Sequence, residues 1–248
     1  LREACHRATE DRTGDETPDT FGYAFTPDAS TFAAWVLSRG GSLLNPAARQ
    51  AAFNSQEGLS AMSVIRDLYG LRHAYLVQGR GEERLDFARG QVLFNFAPSS
   101  ELALYKAAVE QNALFRWNIA PVPHNAPEPV SYFVGQSWMV FKTTPQRQLA
   151  AWLFIRWFSG ANQTRRWAEA TVTLPLRKSA ALAMIKKDMD PNLRVMLDLP
   201  PSGQSEPAIA NWEAVREVLA ETMRASAVGT NPAAALEQGQ AKANVLLK

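Results

Sequence analysis

Trp157-Phe158-Ser159-Gly160-Ala161-Asn162-Gln163, Leu174-Pro175-Leu176-Arg177-Lys178-Ser179-Ala180, Asn211-Trp212-Glu213-Ala214-Val215 and Asn231-Pro232-Ala233-Ala234-Ala235-Leu236-Glu237 follow one another in the last third of the chain. Read as elements, they make this third helical. Residues 161–170, 179–187, 192–199, 211–226 and 231–247 carry helical patterning, with a loop at Leu199-Pro200-Pro201-Ser202-Gly203. The helix before them opens at Thr144-Pro145, where the missing proline N–H costs nothing, and runs through Phe158. That helix is apolar nearly all round, which predicts deep burial.

Toward the N-terminus, strands alternate with helices. Strands are expected at 117–123 and 132–141, separated by a Pro-rich turn at 124–129. Gly135 falls inside the second, where a lone glycine marks a close backbone approach. Residues 91–96 and Phe21-Gly22-Tyr23-Ala24-Phe25 are further short strands. Thr26 is placed to cap a helix with Pro27 at its first position, Phe32, Trp35 and Val36 as its buried stripe, and Gly40-Gly41 as its stop. Asn54-Ser55-Gln56-Glu57 has the form of a capping box ahead of Leu59, Met62 and Ile65. Residues 85–89 form a short helix closed by Gly90, and Pro98-Ser99-Ser100 breaks the following strand and caps a helix through 107. Leu1-Arg2-Glu3-Ala4-Cys5-His6-Arg7-Ala8 reads as the inside of a helix with no N-cap, so upstream sequence is expected. Strands mixed with helices, ending in a helix-rich third, give the α/β class.

Composition narrows the function. The chain has 248 residues, 46% of them hydrophobic, enough for one large domain or two small ones. Its 26 basic and 24 acidic residues nearly cancel, which argues against a nucleic-acid partner needing a dense basic face. No apolar run reaches the roughly 18 residues of a membrane span. The single cysteine, Cys5, rules out an intrachain disulfide. Seven tryptophans suit a core and also suit stacking on carbohydrate.

Motifs for chemistry fail on inspection. His6, His73 and His124 stand far apart in the chain and lack metal-ligand spacing, so neither a metal nor a cofactor is expected. Cys5 and His6 are adjacent and point apart on a helix. Asp188-Met189-Asp190-Pro191-Asn192 begins like a calcium loop, but Leu193 and Leu199 occupy the glycine and glutamate positions. Gly79-Arg80-Gly81 lacks the third glycine of a dinucleotide motif. Asp86, Glu101 and Glu213 are raw material for a hydrolase, yet no spacing pairs them.

The four stretches quoted first, in that order and at those gaps, resemble the C-terminal part of bacterial family 1 extracellular solute-binding proteins, the sugar-type receptors of ABC importers. The resemblance covers nearly the whole chain. It extends to Phe87-Ala88-Arg89-Gly90-Gln91-Val92-Leu93-Phe94, Trp117-Asn118-Ile119-Ala120-Pro121-Val122-Pro123, Val134-Gly135-Gln136-Ser137-Trp138-Met139-Val140 and Ala235-Leu236-Glu237-Gln238-Gly239-Gln240-Ala241. Pro98-Ser99-Ser100 is similar to the Ser-Ser turn of the glycerol-phosphate and oligosaccharide branch, where the maltose-type branch has Gly-x-Trp. Thr173 stands where an aromatic often precedes the Leu-Pro step, so a stacking partner there is missing.

This resemblance implies a periplasmic-binding-protein-like, two-lobe α/β fold of type II, here lacking the first half of lobe 1. Residues 1–117 and 171–248 would form lobe 2, and 118–170 would be a strand–helix piece inserted into lobe 1. It implies a non-catalytic receptor that closes on a carbohydrate or glycerol-phosphate-like solute and delivers it to the transmembrane subunits of an ABC permease. The setting would be the periplasm or the outer face of the membrane, with a lipid anchor on the absent N-terminal part. The implied ligand residues are Thr26, Asp28, Ser99, Ser100, Gly135, Gln136, Arg177 and Trp212. All but Gln136 have a plainer reading: helix-terminal residues for Thr26, Asp28, Ser99 and Ser100, tight packing for Gly135, a surface ion pair for Arg177, core for Trp212. Trp138, Phe141, Trp152, Leu153 and Trp157 are expected to be covered by the missing N-terminal segment or by a second copy of the chain. The alternatives are a carbohydrate-active hydrolase on an α/β scaffold and a helical module whose Trp-rich surface binds protein.

Overall fold

The computed structural model describes residues 1–248 except 48, 113, 114, 136 and 200–202. In chain order, α1 is Arg2–Ala8, β1 Phe21–Phe25, α2 Ala29–Leu37, α3 Gln56–Gly70, β2 Ala74–Leu76, α4 Glu82–Ala88 and β3 Val92–Asn95. A 3-10 turn, Ser99–Glu101, leads into α5, Leu102–Asn112. Then come β4 Ser131–Phe133, α6 Pro145–Phe158, α7 Ala161–Thr171, α8 Lys178–Met184 and α9 Pro191–Asp198. The chain finishes with β5 Gly203–Ser205, α10 Trp212–Val228 and α11 Pro232–Leu246.

β1 pairs in parallel with β2 on one side and β3 on the other, Tyr23 standing opposite both Ala74 and Phe94. A middle strand of a parallel sheet is covered on both faces, which is why four of its five residues are buried instead of every second one. Gly22 permits the close approach of α1: a Cβ there would lie 2.3 Å from the Cα of Cys5. Phe25 of this sheet packs with Phe32, Trp35, Phe53, Met62, Ile65 and Leu68, all from the first third of the chain. Val215, Leu219, Met223 and Leu236, from α10 and α11, complete the same core. Val215, Leu219 and Met223 recur every fourth residue, so α10 turns one face onto α2 and α3.

Local capping differs from expectation in detail. Thr26 does not cap α2. Asp28 does, its carboxylate accepting from the N–H groups of Ser30 (2.7 Å) and Thr31 (3.0 Å) and from the Thr31 hydroxyl. Likewise Ser55, not Asn54, caps α3, accepting from the Gly58 N–H. Neither Ser99 nor Ser100 caps α5. Both lie inside the 3-10 turn, and Pro98 precedes it with no side-chain cap bond. Thr144 and Pro145 open α6 as expected.

The larger departures fall between 117 and 158. No strand forms at 117–123, and the strand expected over 132–141 is only β4, paired in parallel with β5. A strand lasts only where a neighbour accepts its ladder, and β5 supplies three residues. The α6 helix, expected to be deeply buried, has no buried residue. Trp152 is 55% and Phe141 76% exposed. Its apolar faces meet α7 and the rings of Trp138 and Trp167, and most of its surface stays open among the described residues. Ala168, Met184 and Leu197 form a separate small core joining α7, α8 and α9.

Two substitutions measure this division of labour. Leu219→Ala is expected to lower unfolding free energy in urea by about 2–5 kcal/mol, since it opens a cavity at the junction of α10 with α2 and α3. Asp28→Ala is expected to cost about 1 kcal/mol through loss of one helix cap. A Leu219→Ala loss no larger than the Asp28→Ala loss would show that α10 does not close the core.

Candidate functional site

In an open parallel sheet, ligands settle outside the carboxyl ends of the strands. Here those ends carry Thr26 and Asp28 after β1, Val77 after β2, and the Pro98-Ser99-Ser100 turn after β3. Four of the residues expected from the sequence therefore share one edge. Thr26 and Asp28 are partly buried, while Ser99 and Ser100 are exposed at the start of a 3-10 turn. Asp28 spends its carboxylate on capping α2, so it orders the loop first.

A second polar node lies where β4 pairs with β5. Glu206, just past β5, anchors its backbone N–H on Phe133 O (2.9 Å). Its Oε1 accepts from Trp212 Nε1 (3.0 Å), from Tyr132 Oη (3.3 Å) and from Arg216. Trp212 is only 7% exposed, packed in the main core with its indole N–H on this carboxylate. Burial works to lower the Arg216 pKa, but the Glu206 hydrogen bond and charge outweigh it and the net shift is upward. The Tyr132 hydroxyl is pushed up, first by burial and then by Glu206, so it stays protonated. Beside this node opens a cleft of about 150 Å³ walled by Leu37, Ser42, Leu43, Leu44, Tyr132, Gln204, Ser205 and Pro207. Charge in the node is internally balanced, and the cleft presents amide, hydroxyl and aromatic groups.

Tyr132, Glu206 and Arg216 were not anticipated. The only trace in the sequence is that Arg216 follows Trp212 by one helical turn; nothing local announces that both meet Glu206. Gly135 is exposed, and a Cβ there would meet nothing within 4 Å, so tight packing among the described residues does not account for it. Gln136 lies outside the described residues. Arg177 sits at the start of α8 and donates to the carbonyl of Ser159, tying α8 to the end of α6. No contact joins it to the sheet edge or to Glu206 among the described residues.

The carboxylates of the hydrolase alternative are each committed elsewhere. Asp86 accepts from Tyr75 Oη at 2.5 Å, Glu101 pairs with Arg84 at 3.1 Å, and Glu213 lies exposed beside Arg216. Cys5 is buried, and burial pushes its thiol up to about 11, far from a reactive thiolate. Among the described residues no helix is long and apolar enough to cross a membrane.

The chain superposes on the cyclic α-maltosyl-1,6-maltose binding protein of Arthrobacter globiformis with a TM-score of 0.78 at 22% identity, over 92% of this chain and 60% of that one. A solute-binding protein of Thermotoga lettingae bound with α-D-tagatose gives a TM-score of 0.78 at 19% identity, over 98% and 64%. UgpB of Mycobacterium tuberculosis, in complex with glycerophosphocholine, gives 0.70 at 18%, over 92% and 58%. The shared architecture is the two-lobe α/β fold of sugar-type binding proteins, and this chain spans about three fifths of the length of those relatives. No curated sequence matches the chain. Residues 8–195, more than half of it, match the family described as bacterial extracellular solute-binding protein, and the chain belongs to that family.

Proposed function

We propose that this chain is the larger part of an extracytoplasmic receptor of an ABC importer. It takes a carbohydrate or glycerol-phosphate-like solute in the cleft between two lobes and hands it to the permease. The observation that carries this reading is the gathering of Thr26, Asp28, Ser99 and Ser100 at the carboxyl edge of the parallel sheet. The solutes of the structural neighbours, a cyclic maltooligosaccharide, tagatose and glycerophosphocholine, are all rich in hydroxyls. Gly135 and Gln136 on one side and Arg177 and Trp212 on the other would complete the site on closure by hinge motion. The receptor would work in the periplasm or at the extracellular face of the cell membrane, held there by a lipid anchor.

Residues 1–117 and 171–248 would form one lobe, and 118–170 would enter the other. Support comes from the main core, which draws its buried residues from 5–76 and 212–243. The small core of α7, α8 and α9 straddles residue 171 and would act as the joint. The open faces of α6 would be covered by further polypeptide of the first lobe or by a second copy of the chain.

A thermal-shift screen of the intact gene product against sugars and glycerol phosphodiesters tests the function. At least one is expected to raise Tm, and failure across both classes would count against the reading. Trp212→Ala is then expected to weaken binding by about 1 kcal/mol or more, roughly fivefold, if the indole stacks on the solute. An unchanged Kd in a folded variant would make Trp212 a core residue alone. For the isolated chain, light scattering is expected to report association. A stable monomer with strong hydrogen-exchange protection over 132–158 would show that this segment is already covered.

A further inference from the structure

A cavity of about 390 Å³ lies at the opposite, amino edge of the sheet. It opens between α1 and the end of α3, and its walls include Glu3, His6, Asp67 and His73. His6 and His73 are 67 residues apart in the chain, yet Nδ1 of His6 and Nε2 of His73 share a hydrogen bond at 3.1 Å, the contact that one ion would replace. The rings are tilted by 54°, with centroids 4.9 Å apart. With metal–nitrogen bonds of about 2.0–2.1 Å, two imidazole nitrogens on one ion stand about 2.9 Å apart at a right angle and about 3.4 Å apart at the tetrahedral angle. The observed separation falls between the two.

We propose that His6 Nδ1 and His73 Nε2 bind one divalent transition-metal ion of the zinc, nickel and copper group, clipping α1 to the head of β2. Imidazole nitrogen suits these ions, whereas calcium and magnesium require oxygen ligands. The protein contributes two nitrogens and water completes the shell, since no group of three or more His, Cys, Asp or Glu side chains able to hold an ion occurs among the described residues. Glu3 lies three residues before His6, on the same helix face and the same cavity wall, where its carboxylate would accept a hydrogen bond from a metal-bound water. Asp67 is engaged by Arg2 at 2.5 Å, which keeps that side chain as a charge partner of α1. The backbone holds His73 firmly: its N–H donates to Leu68 O, and its carbonyl accepts from Gly22 and Tyr23.

Titration calorimetry of the chelator-stripped protein with zinc chloride and nickel chloride, at pH 7.5, decides the matter (a working pH about one unit above the histidine pKa). One ion per chain is expected to bind, and Tm is expected to rise with ion concentration. His6→Ala, at an exposed helix position, is expected to fold normally and to weaken binding about tenfold or more, the loss that even outer-shell partners cause. His124→Ala is expected to leave it unchanged. No binding by the parent chain overturns the proposal. So does undiminished binding by His6→Ala, or a loss in His124→Ala, either of which would put the ion elsewhere.

Discussion

Val215, Leu219 and Met223 lie on one face of α10, and that face is buried against α2 and α3, helices formed some 150 residues earlier in the chain. Much else depends on this contact. It brings the two ends of the chain into one core with the central strand β1. Ordering a chain over such a separation costs conformational entropy, which only a large apolar burial offsets. The same contact fixes the start of α10, and therefore the positions of Trp212 and Arg216. These in turn capture Glu206 and hold β5 where β4 can pair with it.

The Glu206 node therefore derives its geometry from hydrophobic packing and its chemistry from charge balance. A half-buried carboxylate is costly without donors, and here indole, phenol and guanidinium all supply them. Because Arg216 already neutralises Glu206, the neighbouring cleft shows no bare charge of either sign from this pair.

The helix α6 shows the opposite balance. Trp152, Leu153, Phe154 and Trp157 are each about half exposed, and Trp138, Phe158 and Trp167 add rings around them without closing a core. Scattered apolar residues are usual on a protein surface, whereas here the aromatic rings are gathered around one helix. The neighbouring α7, α8 and α9 do close a small core of their own around Ala168, Met184 and Leu197. Lys106 reaches Asp190 and the Ile119 N–H reaches Asn192, so α9 is tied both to α5 and to the connecting segment.

Local chemistry determined what was legible in the sequence alone. The β1 strand at Phe21–Phe25, the Thr144-Pro145 start of α6, the run of C-terminal helices and the family all follow from patterns spanning a few residues or from their collinear order. Caps misplaced by one or two residues, Thr26 for Asp28 and Asn54 for Ser55, reflect candidates with nearly equal local merit. Tertiary structure decided the rest. Strand propensity at 117–123 and over most of 132–141 came to nothing because no neighbouring strand accepts those ladders among the described residues. The apolar α6 stayed exposed because burial depends on what lies opposite a helix, not on the helix itself. Glu206 with Trp212, Tyr132 and Arg216, and His6 with His73, meet only because distant segments fold together. Periodicity records which face of an element is apolar. Which residues meet across the fold is set by the packing of elements far apart in the chain, and no local pattern encodes it.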